Sequence, residues 1–342
     1  MLFLFRSGAP SHDVGVDLGT CNTLVHVRGR GVVVNEPSVA AVRRSDRSVQ
    51  AVGLEAKRML GRTGSDMQAI RPLQGGVIAD VDVAEAMLRR FLRRATPWKM
   101  RRPRPRLVVG VPSGITEMER RAVRSSAEAA GAQELYMVAE PIAAAIGIGE
   151  PVDTPVGTMV VDIGGGTTEI ALIALGGIVA DASIRIAGDV MDRAIVLHAR
   201  RQHSLLIGES TAELTKIGLG TAILEENPRV MEVRGRHLVS GLPRAIEMNS
   251  TEIGRAIHEA VQAIVAAVVR ALEQSPPEFA IDIVDRGIVL TGGGALLPGL
   301  PELIHRRTNL PVRVADDPLT CVVRGTAAIL DDLERYRMVL RT

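Results

Sequence analysis

Two aspartates carry the chemistry this sequence offers most directly. Asp17 is followed by Leu18-Gly19-Thr20, and Asp162 by Ile163-Gly164-Gly165-Gly166-Thr167. Each sits at the end of an apolar stretch, 14–16 and 159–163, and each is followed by a second apolar stretch, 23–27 and 170–175. The pattern is strand, turn, strand, with a turn that has few side chains to keep a ligand away. Backbone N–H groups in such a turn can converge on an anion such as phosphate. A carboxylate at the strand end can hold a hard divalent cation through water, as Mg²⁺ prefers. One glycine run would be no more than a tight turn, and an aspartate there could be an ordinary turn cap. The second copy argues for more, because a repeated unit is a statement about architecture. Two such hairpins facing each other would clamp one nucleoside triphosphate and its metal between Asp17 and Asp162.

The rest of the chain must position these turns. Short strands are expected at 31–34 and 39–42, with turn chemistry in Asn35-Glu36-Pro37-Ser38 between them. A short helix is expected over 54–60, and another from Asp82 to about Arg94, capped by Asp82 with Glu85. The run 106–111 reads as a buried parallel strand, and Thr116 with Glu119 as the capping box of a helix that stops at Gly131. Glu140-Pro141 opens a helix to residue 148, proline being suited to the first helical position. The proline-containing turn between Asp153 and Gly157 marks a boundary. Beyond it the plan repeats. Helices are expected from 187–189 to about 202, over 209–217, from 251 to about 274 behind a Ser250 cap, over 300–307 and over 326–341. Strands are expected at 230–233 and 237–239 around an Arg-Gly-Arg turn, at 287–290 ahead of Thr291-Gly292-Gly293-Gly294, and at 312–315. Strands alternating with helices give an α/β class.

Composition sets bounds. At 342 residues two domains are expected. A net charge of +2 implies no global polyanion-binding surface, and no nucleic-acid partner is expected. Cys21 and Cys321 are too far apart in sequence to suggest a disulfide framework, in keeping with a reducing compartment. No apolar run reaches membrane-spanning length, and the N-terminal Met1-Leu2-Phe3-Leu4-Phe5-Arg6 is too short for a signal-peptide core. The seven histidines show no metal-ligand spacing, and His198 and His203 read as surface residues.

An ordered set of motifs runs nearly end to end: 17–22 (DLGTCN), 35–39 (NEPSV), 56–62 (AKRMLGR), 70–80 (IRPLQGGVIAD), 111–123 (VPSGITEMERRAV), 140–147 (EPIAAAIG), 160–169, 241–243, 285–297 (DRGIVLTGGGALL) and 317–326 (DPLTCVVRGT). On these the chain resembles the MreB/Mbl family of bacterial actins, within the actin/heat-shock/sugar-kinase ATPase superfamily. Single motifs are shared across the superfamily, whereas the full order is specific to MreB and its closest paralogues. The resemblance implies an actin-like, duplicated ribonuclease H-like fold with two α/β domains around a nucleotide cleft. The first would comprise 1–150 with 316–342 (small subdomain about 32–75), the second 151–315 (small subdomain about 188–245). It implies ATP with Mg²⁺, hydrolysis coupled to filament turnover, polymerisation with itself, and a scaffold for cell-wall synthesis that maintains rod shape. Anionic inner-membrane lipids and the elongation proteins MreC, MreD and RodZ would be partners, at the cytoplasmic face of the membrane. Carried over by position, Asp17 and Asp162 flank the metal. Gly19, Thr20, Cys21 and Asn22 meet the phosphates from one side, and Gly164, Gly165, Gly166 and Thr167 from the other. Glu140 orients the attacking water with help from Thr167. Glu213 and Lys216 meet the ribose and adenine, and Gly292, Gly293, Gly294 and Ala295 lie against the nucleoside and α-phosphate. The sequence departs from the family pattern at Ala139, Ala187, Val190 and Gly218, placed on the nucleotide side of the second domain, where hydrolysis rate and nucleoside contacts are affected before binding.

Plainer roles stand beside these. Glu140 could serve only as an acid at a helix N-terminus, and Glu213 with Lys216 as a solvated ion pair three residues apart. A small-molecule kinase of the superfamily would need a substrate pocket and a catalytic base that nothing between the motifs supplies. A heat-shock chaperone would continue into a β-rich substrate domain. An MreB relative with another scaffolding task remains an alternative. The scarce aromatics add one expectation. Nine basic residues and no acid lie between Arg89 and Arg106, with the one tryptophan, Trp98, and Met100 at the centre. Two of the four phenylalanines stand at the N-terminus, in Leu2, Phe3, Leu4 and Phe5. Apolar tips among arginines suit an anionic membrane surface, and two weak anchors hold where one does not; a solvated loop and a loose tail are the simpler readings.

Overall fold

The computed structural model describes residues 13–62, 64–95 and 105–340. The membrane expectations at Leu2, Phe3, Leu4, Phe5, Trp98 and Met100 lie outside the described residues.

The repeat seen in the sequence is a repeat of whole sheets. The first five-stranded sheet has the spatial order Gly31–Pro37, Asn22–Val27, Val14–Leu18, Arg106–Val111, Glu134–Ala139. The first three strands pair antiparallel and the last two join in parallel. The second sheet has the order Gly177–Ile184, Thr168–Ala174, Thr158–Ile163, Ile288–Thr291, Val312–Val314, with the same senses of pairing. In both, the strand carrying the aspartate is central, with its hairpin partner on one side and a parallel strand on the other. A central strand flanked on both edges has no solvent face, and every residue of Thr158–Ile163 is buried, Asp162 included. Smaller sheets are built from Val49–Val52, Ala40–Arg43 and Met67–Ile70, and from Leu205–Leu206, Val230–His237 and Pro243–Asn249.

Two helices fill the space between the large sheets. Glu140–Ile148 and Cys321–Asp331 pack on each other and join side chains from both sheets, Val108 and Val138 from one and Val160, Ala171 and Val289 from the other. Such a position leaves no solvent face, and Ala143, Ala144 and Ala145 are fully buried. The outer face of the second sheet is covered by Gly188–His203 and Ser250–Glu273, and that of the first by Val81–Ala95 and Glu117–Ala129. Among the described residues no helix is long and apolar enough to cross a membrane.

Several boundaries differ from expectation, for local reasons. Residues 234–236 are no turn. Val230–His237 is one strand paired along its length with Pro243–Asn249, and the reversal falls at 238–242. A Cβ on Gly235 would lie 2.6 Å from Leu206 O, so this glycine marks a close backbone approach within the sheet. The last long helix is Cys321–Asp331 rather than 326–341, and only the short turn Arg337–Val339 follows. The helix Val81–Ala95 is entered through Asp80, whose Oδ1 accepts from Val83 N at 3.2 Å, not through Asp82. Asn249, whose Oδ1 accepts from Glu252 N at 2.9 Å, caps Ser250–Glu273 in place of Ser250. The helix at 54 is a single turn, Leu54–Lys57. The capping box of Thr116 and Glu119 is present as expected.

Candidate functional site

The two glycine turns meet tip to tip. A Cβ on Gly165 would stand 2.1 Å from Cys21 Sγ, and one on Gly166 would stand 2.7 Å from Thr20 Oγ1 and 3.0 Å from Gly75 N. Any side chain at these positions would force the hairpins apart, which explains glycine there better than the need for a turn. Cys21 Sγ also donates to Asp189 Oδ1 at 3.2 Å, linking the first turn to the helix Gly188–His203 behind the second. Burial, with Asp189 alongside, pushes the Cys21 thiol up to about 12, so it is a hydrogen-bonding group and no nucleophile.

Between the hairpins lies a cavity of about 510 Å³, within the range of small-molecule and cofactor sites. Asp17, Gly19, Thr20, Cys21 and Asn22 line it from the first sheet, and Asp162 with Gly164, Gly165, Gly166 and Thr167 from the second. Glu140, Glu213, Lys216, Gly292, Gly293 and Gly294 complete the predicted set. Ala295 is buried beneath the turn Gly293–Leu296 and is not part of the wall. Sequence reasoning missed the apolar end of the cavity, formed by Met191, Ile217, Leu296, Leu297, Pro298 and Leu319. The Leu-Leu-Pro after the three glycines was its only signal, and it reads equally well as core.

The floor of the cavity is acidic. Burial pushes Asp17 up to about 7. Burial, with the charges of Asp17 and Glu169, does the same to Asp162, also to about 7. Glu140 is raised well above the ordinary carboxyl range by burial and by Asp17, Asp162 and Glu169 around it. Among the described residues no lysine or arginine pairs with these three carboxylates. Glu169, by contrast, is satisfied: Ser113 N and Oγ donate to Oε2 at 3.2 and 2.5 Å, and Ser183 Oγ to Oε1 at 2.5 Å. A set of converging oxygen ligands without a protein cation is the donor chemistry of a hard divalent ion.

The sign of the resulting pH dependence follows from linkage. In the unfolded chain Asp17 and Asp162 ionise near 3.8, whereas in the fold each holds its proton to about 7. Between these values the folded state binds more protons, so the contribution of the pair to stability is fullest below about pH 4, falls as pH rises towards 7, and is level above. The slope approaches about 1.4 kcal/mol per pH unit for each group. In EDTA, Asp162→Asn should therefore be neutral near pH 4 and increasingly stabilising up to about pH 7. A difference in melting temperature that stays flat across this range would refute the assignment.

Glu213 and Lys216 do not form the simple pair that their spacing permits. Glu213 meets Lys57 Nζ at 2.5 Å, and Lys216 Nζ meets Asp192 Oδ2 at 2.9 Å and Gly188 O at 3.2 Å. Lys57 lies in the short helix after the strand Val49–Val52 in the first half of the chain, so its ion pair with Glu213, which lines the cavity, joins the two halves. The four family departures are not clustered as expected. Ala139 is the buried N-cap of the Glu140–Ile148 helix on the first sheet, while Ala187, Val190 and Gly218 lie on the second side.

A sequence model of the family described as MreB/Mbl protein matches residues 11–338. The cell shape-determining protein MreB of Escherichia coli (strain K12) is 52% identical over 340 residues, 98% of each chain. The crystal structure of MreB5 of Spiroplasma citri bound to ADP superposes with a TM-score of 0.88 at 37% identity, covering 94% of this chain and 97% of that one. The same protein bound to AMPPNP gives 0.89 at 36% identity, covering 96% and 98%.

Proposed function

Because the chain belongs to the MreB/Mbl family of actin-like cell-shape proteins, we propose that its cavity binds ATP and that nucleotide turnover controls a self-assembled filament which scaffolds cell-wall synthesis. The observation that carries this reading is the apposition of two equivalent glycine hairpins across one cavity floored by three carboxylates without a protein cation. MreB5 of Spiroplasma citri, which binds ADP and AMPPNP, supports the choice of an adenine nucleotide. On this reading residues 1–150 with 316–342 form one domain and 151–315 the other, with the nucleotide between them.

The roles follow from position. Backbone N–H groups of Gly19, Thr20, Cys21 and Asn22 and of Gly165, Gly166 and Thr167 hold the phosphates from opposite sides, while Gly164 N closes the second hairpin on Thr167 O at 2.9 Å. Asp17 and Asp162 are the residues that would hold Mg²⁺, which would supply charge neutralisation on the phosphates. Glu140, with Thr167, accepts a hydrogen bond from the attacking water and its proton as the water adds. Met191, Ile217 and Leu297 offer an apolar seat for the base, and Glu213 and Lys216 exchange their present partners for the nucleoside. Gly292, Gly293 and Gly294 let the backbone come close to the α-phosphate.

Attachment to the inner face of the membrane rests on the sequence: the aromatics at 3, 5 and 98 stand beside leucines and arginines in a chain that has few others. MreC, MreD and RodZ are proposed as partners through the family. Electron microscopy and flotation with anionic liposomes test both parts. With ATP and Mg²⁺ the purified chain should form filaments on lipid, and removal of residues 2–5 together with Trp98→Ala should leave filaments in solution that no longer float. Absence of filaments would overturn the polymer reading, and flotation unchanged by the deletion would overturn the anchor.

A further inference from the structure

A cluster of metal-ligating side chains lies at the far end of a helix that lines the cavity. Gly188–His203 begins at the nucleotide turn, where Asp189 N donates to Gly165 O at 2.8 Å. It ends roughly 22 Å away, at about 1.5 Å per residue, in His203. There His198 Nε2 lies 2.7 Å from Glu252 Oε1, and His203 Nε2 meets the same oxygen. The three ligand atoms lie within 4.8 Å of one another. The two rings stand edge to face, with centroids 6.1 Å apart and planes at 64°. All three side chains are partly accessible, at 19%, 27% and 19%, so an ion could enter from solvent.

Two imidazole nitrogens aimed at a single carboxylate oxygen form an unusual arrangement for a hydrogen-bonded surface cluster. One acceptor atom must serve both rings, and each ring must carry a proton on Nε2. The same three atoms, with those protons removed, are the two-nitrogen, one-oxygen set that a zinc-class ion takes, leaving a fourth position for water. Hard ions such as Mg²⁺ and Ca²⁺ prefer oxygen alone, so the imidazoles select against the metal proposed for the cavity. The setting is favourable on both sides. His203 is at the C-terminal, partially negative end of its helix, and Glu252 is in the first turn of Ser250–Glu273, held there by the Asn249 cap.

We propose that His198, His203 and Glu252 form a binding site for a zinc-class divalent ion, which fastens the end of the Gly188–His203 helix to the start of Ser250–Glu273. The ion acts as a clasp between two helix ends, with its open position left to water. It fixes the helix whose other end supports the second phosphate turn, and it anchors the small sheet, because Ser204 O accepts from Leu238 N at 2.8 Å immediately after His203.

The test uses the full chain stripped of metal with EDTA and titrated with Co²⁺ alone, then with Zn²⁺ in competition. One equivalent of Co²⁺ should give the visible absorption of a four- or five-coordinate nitrogen and oxygen site, without the near-ultraviolet band of a thiolate ligand at Cys21. Zn²⁺ should abolish it, and a large excess of Mg²⁺ should not. His198→Ala/His203→Ala should lose the signal. Glu252→Gln, which keeps the shape and an acceptor for the rings, should weaken affinity at least about tenfold. If the double variant does not fold, His203→Gln serves in its place. No absorption in the wild-type chain, or an equal signal in the histidine variants, would overturn the site.

Discussion

Glu140→Gln is expected to slow hydrolysis of ATP by about 100- to 10,000-fold, the usual contribution of a positioned general base, while binding of the nucleotide persists. Glu140 lies in the wall of the cavity beside Asp17 and Asp162 and begins the helix buried between the two large sheets. A second readout separates this role from that of a simple helix-end acid. In the metal-free chain burial, with the neighbouring carboxylates, holds Glu140 protonated well above the ordinary range. The unfolded chain ionises freely, so wild type gives up stability at pH 7 that glutamine retains. Glu140→Gln should raise the melting temperature of the metal-free chain. Loss of a mere dipole interaction would instead lower stability by about 0.3–1 kcal/mol. Single-turnover kinetics and thermal melts on one preparation decide the matter. Unchanged turnover, or a lower melting temperature, would remove Glu140 from the proposed mechanism.

Gly325→Ala should cost more than about 3 kcal/mol, at or beyond the upper end of ordinary overpacking, and thus a large share of the roughly 5–15 kcal/mol that holds a typical domain folded. A Cβ at residue 325 would stand 1.8 Å from Ala143 O, and one at Gly147 would stand 1.9 Å from Cys321 O. The helices Glu140–Ile148 and Cys321–Asp331 therefore touch backbone to backbone at two reciprocal points. Neither obstacle is the movable end of a side chain, so a methyl group can be admitted only by separating the helices. That separation would open the layer between the sheets and displace Glu140 at the head of its helix. Gly114→Ala is the control, since a Cβ there would meet nothing within 4 Å. Chemical denaturation of the three proteins should rank Gly325→Ala well below wild type and Gly114→Ala near it. Equal midpoints for wild type and Gly325→Ala would show that the crossing is looser than described.

The acidic hairpins were legible from sequence because their chemistry is local. An aspartate, glycines and a hydroxyl follow one another within six residues, and the apolar strands on either side read directly from residue type. The parallel strands 106–111 and Ile288–Thr291, the capping box at Thr116 and the α/β class were visible for the same reason. The third strand of the second sheet, Gly177–Ile184, was not among the expected elements. It alternates exposed and half-buried positions and follows its neighbour after a tight turn, so no fully buried run marks it as a strand.

What the tertiary structure decided was the pairing of distant residues. Glu213 and Lys216 offered each other a partner by helical spacing, yet each found a different one: Glu213 meets Lys57 from the first half of the chain, and Lys216 meets Asp192 on the neighbouring Gly188–His203 helix. His198 and His203 read as surface residues because Glu252, the carboxylate both rings meet, stands beyond three strands and a helix. Sequence by itself determined which residues have the chemistry for phosphate and metal, since that depends on atoms carried by neighbours in the chain. Only the fold determined which of them meet, and that Gly165, Gly166, Gly147 and Gly325 are contact points rather than turns, because contact depends on the close approach of backbones far apart in sequence.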